Sequence, residues 1–418
     1  MRITILTIGS RGDIQPYVAL GVGLLQAGHQ VQIATSPIFE SWLCSYGLDF
    51  APIHANPQEL MASAAGQKML ESGNGINLIR WMQKTFGPAF ATMLADAWAA
   101  CQGTEALIGS IMVPGCEGIA EALGIPFYLA SLVPISATAA FPTALLPEIP
   151  WLGKLYNRSS YSLMRQVQWQ ASRQVVNQWR RSTLQLPEIP PWQDPWTLTE
   201  RRGDPLLYGY SSAVIPKPRD WTATMHITGY WFLDKPADFS PPADLVDFLA
   251  ADKPPIYIGF GSMTNRHPEQ VAEIVLEALK KSGQRGILLT GWGGLRKADL
   301  PDTVFKLESI PHDWLFPQMA AVVHHGGAGT TAAGLRAGVP AIVVPFFADQ
   351  PFWGNQVARL GVGTQPIPRK ELSLDRLAIA MQTVTKNASI QKCAAALGQS
   401  IRAENGVQQA VKVFNQYL

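Results

Sequence analysis

The sequence predicts an α/β protein of two doubly wound parallel-sheet domains, and three observations predict it. Residues 2–8 alternate as a strand, residues 9–13 turn, and residues 14–26 carry apolar side chains at helical spacing. Gly28 stops that helix and residues 31–34 start a second strand, an order that requires a parallel crossover. The opening repeats at residues 255–262, where an apolar strand ends in a Gly-x-Gly-Ser turn and residues 268–282 follow as a helix. Finally, 418 residues exceed one ordinary core, so two domains of about 200 residues each are expected.

The remaining elements fill in this plan. Residues 286–290, 321–324 and 341–344 read as strands separated by helical stretches, which a second parallel sheet demands. Pro216, Pro218, Pro236, Pro241 and Pro242 mark a boundary between the halves. The expected division is an N-terminal domain over 1–215, a linker over 216–242 and a C-terminal domain over 243–400. Residues 401–418 form a last helix with Val407, Ala410, Val411 and Phe414 on one face, expected to pack back toward the N-terminal domain.

Two stretches need separate reading. Residues 122–147 lack Asp, Glu, Lys and Arg and are long enough to span a bilayer. However, Pro126, Pro134 and Pro142 would each cost a helix about 3 kcal/mol, so a buried strand followed by an apolar loop is expected. Residues 154–202 carry eight basic residues against Glu188, Asp194 and Glu200, interleaved with Trp169, Trp179, Trp192 and Trp196. They fit first a solvated amphipathic helix with a Pro-rich loop, and as the alternative an acceptor-side or membrane-facing surface.

Composition excludes several classes. A net charge of +2, from 33 basic and 31 acidic residues, provides no field for nucleic acid. Cys44, Cys101, Cys116 and Cys393 show no metal-type spacing and read as reduced packing residues. The alternating N-terminus is too short for a secretory core, and a cytoplasmic protein, with peripheral membrane contact left open, is expected. Hydrophobic residues at 47% against 15% charged suggest that something apolar is handled.

The densest chemical signal is HHGGAGTTAAGLRAGVP at residues 324–340, followed by AIVVPFFADQ at 341–350. A strand runs into glycines and then a helix, whose free N–H groups near Gly327 and Gly329 form a seat for an anion that the missing Cβ atoms let approach. Neither Walker nor dinucleotide spacing is met. Taken whole, the stretch resembles the donor signature of the UDP-glycosyltransferase superfamily, particularly sterol 3β-glucosyltransferases and bacterial antibiotic glycosyltransferases. GSRGDIQP at residues 9–16 and PHDWLF at 311–316 match the same subgroup.

The resemblance implies a GT-B fold, two Rossmann-like domains facing a central cleft, with acceptor bound N-terminally and nucleotide sugar C-terminally. It implies that His325 and Thr330 hold the diphosphate, that Ser262 reaches phosphate or ribose, and that Asp349 and Gln350 bond the sugar hydroxyls. His312 and Trp314 fall near the nucleotide base, Trp314 either there or in the core. Ser10, Arg11 and Gly12 fall in the loop on the acceptor side. Transfer to an alcohol needs a base, and related antibiotic enzymes place an aspartate where this chain has Asp13; the rival role for Asp13 is a helix N-cap. No D-x-D sequence occurs, so no cofactor and no metal are expected, protein donors stabilising the departing diphosphate.

The expected activity is inverting, metal-independent transfer of a hexose, glucose foremost, from a UDP-sugar to an apolar alcohol such as a sterol, terpenoid or polyketide. Ala333 stands where many relatives carry a ribose-binding glutamate, which leaves dTDP open. Residues 61–93 and 131–146 fit an acceptor pocket or a core equally well. The alternatives are a membrane-surface glycolipid synthase, a nucleotide-sugar 2-epimerase and a catalytically silent partner protein.

Overall fold

The computed structural model describes residues 1–54, 89–235, 238–260, 268–289 and 300–418. They divide into two compact units, one of Met1–Ser212, Pro216–Leu233 and Asn405–Leu418, the other of Ala213–Ile215 and Asp234–Glu404.

The first unit holds a seven-stranded sheet in the order β3-β2-β1-β4-β5-β6-β7, parallel throughout. Its strands are β1 (Arg2–Leu6), β2 (Gln30–Thr35), β3 (Asp49–Pro52), β4 (Ala106–Ser110), β5 (Phe127–Ser131), β6 (Leu206–Tyr208) and β7 (Met225–Ile227). The chain winds outward from β1 to β3 and then returns to the other side at β4, so the switch of direction lies between β1 and β4. Ligands of open α/β sheets bind outside the carboxyl ends of strands at such a point. The loop leaving β1 leads directly into helix α1 (Arg11–Gln26).

Further helices of this unit are α2 (Glu40–Cys44), α3 (Cys116–Leu123), α4 (Gly153–Trp179) and α5 (Pro195–Arg202). The uncharged stretch behaves as expected: β5 is fully buried, and the residues after it form no helix before residue 150. No helix among the described residues is long and apolar enough to cross a membrane.

The second unit holds a five-stranded parallel sheet in the order β10-β9-β8-β11-β12. Its elements are α6 (Ala243–Ala250), β8 (Ile256–Gly259), α7 (Pro268–Ser282), β9 (Gly286–Leu289), β10 (Val304–Leu307), α8 (His312–Leu315), β11 (Ala321–His324), α9 (Ala328–Ala337), β12 (Ala341–Val343), α10 (Gln350–Arg359), α11 (Leu374–Lys386) and α12 (Ala388–Ala403). Here the switch lies between β8 and β11. One core joins Ile256, Ile258, Val323 and Ile342 from the sheet to Val271, Val275, Leu377 and Met381 from α7 and α11.

The last helix, α13 (Gly406–Gln416), lies in the first unit. Ala410, Val413 and Phe414 share a core with Ile3, Ile5, Ile14 and Tyr128, and the Tyr128 hydroxyl donates to the Phe414 carbonyl at 2.9 Å. A Cβ on Gly23 would stand 2.2 Å from Val407 Cγ1, so this helix approaches α1 closely there.

Two boundaries differ from the sequence reading. Residues 216–233 are not a linker: they supply the edge strand β7 and the buried Trp231, whose indole donates to Thr228 at 2.9 Å. Pro216 and Pro218 precede that strand, where no ladder N–H is needed. The second unit takes in Ala213–Ile215 and then runs from Asp234 to Glu404, beyond the expected limits of 243 and 400.

Candidate functional site

Strand β11 ends on His324, its side chain fully buried between β8 and β12, with Gly259 and Val343 as register partners. The Gly326 N–H donates to His324 Nδ1 at 3.0 Å, which fixes the proton on Nε2. Nε2 itself meets no partner among the described residues. Burial drives this imidazole down to about 3, with His325 and His312 adding to the shift. His325 follows, half-buried, lowered to about 4 by burial, with Nδ1 likewise unpartnered among the described residues. Both rings are therefore neutral near pH 7, so His325 offers a ligand an N–H rather than a fixed charge.

The two glycines that follow have separate reasons. Gly326 has φ of +91°, and a Cβ there would stand 2.7 Å from Val343 and 2.9 Å from the Gln350 carbonyl. At Gly327 a Cβ would stand 2.5 Å from His325 Nε2, so only glycine leaves the imidazole in place. Gly327 then caps α9, and the first helical bond runs from Thr331 N to Gly327 O at 2.9 Å. Thr331 is buried and turns its hydroxyl onto that same carbonyl, leaving half-buried Thr330 in the first turn. Ala328, Gly329 and Thr330 thus present N–H groups at a helix start, beside the switch point of this sheet.

Asp349 and Gln350 stand at the start of α10, after Ala348, whose φ of +56° is rare outside glycine. Asp349 occupies the cap position, yet its side chain does not cap. Its Oδ2 accepts instead from the indole of Trp353 at 2.8 Å, and Trp353 is buried. Gln350 is also buried, its Oε1 accepting from Phe346 N at 2.8 Å and Phe347 N at 3.3 Å. The amide's oxygen is therefore committed to backbone.

His312, first residue of α8, stacks on Phe316 at 4.2 Å and lies 3.4 Å from the Tyr257 hydroxyl. Trp314 is half-buried, edge-on to Phe239 at 5.8 Å, so it is not a core residue. Ser262 lies outside the described residues, as do residues 61–88 of the suggested acceptor stretch.

In the other unit, Asp13 follows β1 at that sheet's switch point. It is not the helix N-cap: the cap is Ser10, and Asp13 is the third residue of α1. Its Oδ2 accepts from Ser10 N at 2.8 Å and from Ser10 Oγ at 2.7 Å, a capping box with an acidic third residue. A Cβ on Gly9, with φ of +137°, would stand 2.7 Å from that oxygen, so the carboxylate's seat depends on glycine. Ser10, Arg11 and Gly12 are exposed, with Arg11 held 4.9 Å over the Trp42 ring.

Sequence reasoning missed Trp353 and Gly9. An aspartate four residues before a tryptophan at a helix start is a readable spacing, and so is Ser-x-x-Asp at residues 10–13. Among the described residues, no three His, Cys, Asp or Glu side chains are grouped to hold a metal ion.

Residues 3–142 match the glycosyltransferase family 28 N-terminal domain, and residues 292–415 match the erythromycin biosynthesis protein CIII-like C-terminal domain. The chain is 39% identical to a sterol 3-beta-glucosyltransferase of Aspergillus clavatus and 40% identical to one of Yarrowia lipolytica, 99% of this chain being covered in each. It spans only 29% and 28% of their length. Among solved structures, the glycotransferase of kitacinnamycin superposes with a TM-score of 0.72 at 19% identity, over 100% of this chain and 99% of the other. The glycosyltransferase VinC in complex with dTDP superposes at 0.70 and 18%, with the same coverage. At such identities these two likenesses establish the fold.

Proposed function

Because this chain belongs to the UDP-glycosyltransferase superfamily and has its GT-B fold, we propose that it transfers a hexose, glucose foremost, from a UDP-sugar to the hydroxyl of an apolar alcohol. The sterol 3-beta-glucosyltransferases at about 39% identity support a sterol or related terpenoid as acceptor. The observation that carries the donor half is the β11–α9 junction, where three helix-start N–H groups and a neutral His325 stand together at a sheet switch point. In this reading the diphosphate lies on that helix start, with His325 and Thr330 donating to it. Growing negative charge on the leaving diphosphate is met by these donors and the helix dipole, without metal.

Asp349 accepts from a sugar hydroxyl and the Gln350 amide donates to the neighbouring oxygen. Asp13 removes the acceptor's proton as its oxygen attacks, a step that a neutral alcohol requires. Direct displacement inverts the sugar carbon and gives a β-glycoside from an α-donor. Isothermal titration with UDP-glucose, dTDP-glucose and UDP-N-acetylglucosamine, followed by mass spectrometry of products over a sterol and terpenol panel with and without chelator, tests the reading. Binding of UDP-glucose and a mass gain of one hexose on a sterol, unaffected by chelator, is expected. Isomerised donor without any acceptor would replace transfer by epimerisation.

A further inference from the structure

Helix α4 and its flanks carry a row of large apolar side chains that are exposed. Trp151, just before the helix, is 83% exposed, Leu155 is 82% and Leu163 is 58%. Leu155, Ser159, Ser162 and Leu163 fall on one side by helical spacing, while Ser160 and Tyr161 face the core. Farther along, Gln170 Nε2 donates to the Pro191 carbonyl at 2.7 Å and the Trp169 indole to the Pro190 carbonyl at 3.2 Å. These bonds tie the next residue, Trp192, to the same helix, where it is 79% exposed. From residue 151 to 170 the row runs ~28 Å at helical rise.

The charges alongside have one dominant sign. Over 27 residues α4 contains Lys154, Arg158, Arg165 and Arg173 and no acidic residue. Arg165 is spent on Glu200 at 2.6 Å, but Lys154 and Arg158 are exposed, together on one flank of Leu155 by helical spacing. Near Lys154 and Arg158 in sequence or space stand Glu148 and Asp220, and near Trp192 the buried Asp194, which is spent on Thr197. Asp220 lies 4.0 Å from Arg158 and already accepts from the Thr138 hydroxyl and the Ala139 N–H. A single exposed leucine needs no explanation, whereas two tryptophans and two leucines in line do.

We propose that this face of α4, from Trp151 to Trp192, docks the protein on an anionic lipid surface. The tryptophans and leucines enter the headgroup and upper acyl region, where an apolar ring with a polar N–H is favoured. Lys154 and Arg158 pair with lipid phosphates or carboxylates, each adding attraction that salt screens. Docking by these exposed side chains needs no catalytic activity. It also gives a protein whose proposed acceptor partitions into bilayers a means of reaching it.

Co-sedimentation of the full chain with phosphatidylcholine vesicles, alone or containing phosphatidylserine, tests this. The chain should pellet with the anionic vesicles and be released by high salt. The double variant Trp151→Ser/Leu155→Ser should bind about tenfold more weakly or worse, with an unchanged thermal midpoint because both side chains are exposed. The charge variant Lys154→Glu/Arg158→Glu should lose binding to anionic vesicles while keeping its fold. Equal binding by the wild type and the serine variant, or no binding by the wild type to either vesicle, would overturn the proposal. So would a wild-type dimer that the serine variant converts to monomer, since the face would then be covered by a second copy of the chain.

Discussion

Asp13 closes the first turn of α1 and is also assigned the acceptor's proton, so a substitution must remove one role and keep the other. Asparagine retains an oxygen that can accept from Ser10 but cannot take a proton. Asp13→Asn should therefore cost at most about 1 kcal/mol of stability while lowering kcat by roughly 100-fold or more. Turnover within about threefold of wild type would end the catalytic assignment, since base removal has a larger effect. At the other site, Trp353→Phe nearly keeps the packing of a buried ring and deletes only the N–H held by Asp349. About 1 kcal/mol of orientation is lost, so the donor KM should rise about fivefold, with the thermal midpoint close to wild type. An unchanged KM would show that Trp353 does not position Asp349. The histidines make a pH prediction. His324 and His325 fall from 6.5 to about 3 and about 4 on folding, so the unfolded chain protonates first as pH drops. Stability is then full above 6.5 and declines as pH falls from there toward about 4 for His325 and about 3 for His324. Urea midpoints between pH 5 and 7, above most carboxylate titration, should fall with acid in the wild type and less steeply in His325→Gln; parallel curves would refute the shift.

Helix-scale packing is where sequence and structure diverge most. The stretch proposed to hold the donor was legible as structure because its residues are contiguous: strand, glycines, helix and strand follow one another from 321 to 343, and local patterning describes them all. Asp13 was misplaced by three positions because Gly12 reads as a turn residue, although Ser10 starts the helix before it. Residues 216–233 read as a linker because prolines dominate them, and β7, three residues long, lacks enough alternation to announce a strand. Its strandness comes from a neighbour, β6, that only the fold supplies. The contact between α1 and α13 is of the same kind: Gly23 and Val407 are distant in sequence. An alanine at Gly23 gains about 0.5–1 kcal/mol of helix propensity, but its Cβ would overlap Val407 at 2.2 Å, and overpacking costs about 1–3 kcal/mol. The overlap should win, so Gly23→Ala lowers the thermal midpoint, and adding Val407→Ala restores it. Stabilisation by Gly23→Ala alone would mean that α13 yields without cost.

For the whole molecule the consequence is a first unit whose core includes α13, a helix that follows all of the second unit in sequence. Expecting residues 401–418 to turn toward the N-terminal half followed from one apolar face. What the sequence could not supply was the depth of the contact, with Phe414 fully buried against Tyr128 at a ring distance of 4.5 Å. Deleting such a ring costs about 3–5 kcal/mol, a large part of the 5–15 kcal/mol that typically holds a domain together. Phe414→Ala should therefore leave the first unit marginal, and removal of residues 405–418 should unfold it. The second unit has its own core, to which Val271, Val323, Ile342 and Met381 belong. Limited proteolysis distinguishes the units: in the truncated chain, residues 1–233 should be cut rapidly while a fragment over 234–404 survives. Equal protection of both regions would show that the first sheet holds without α13, and that its burial of Phe414 is incidental to stability.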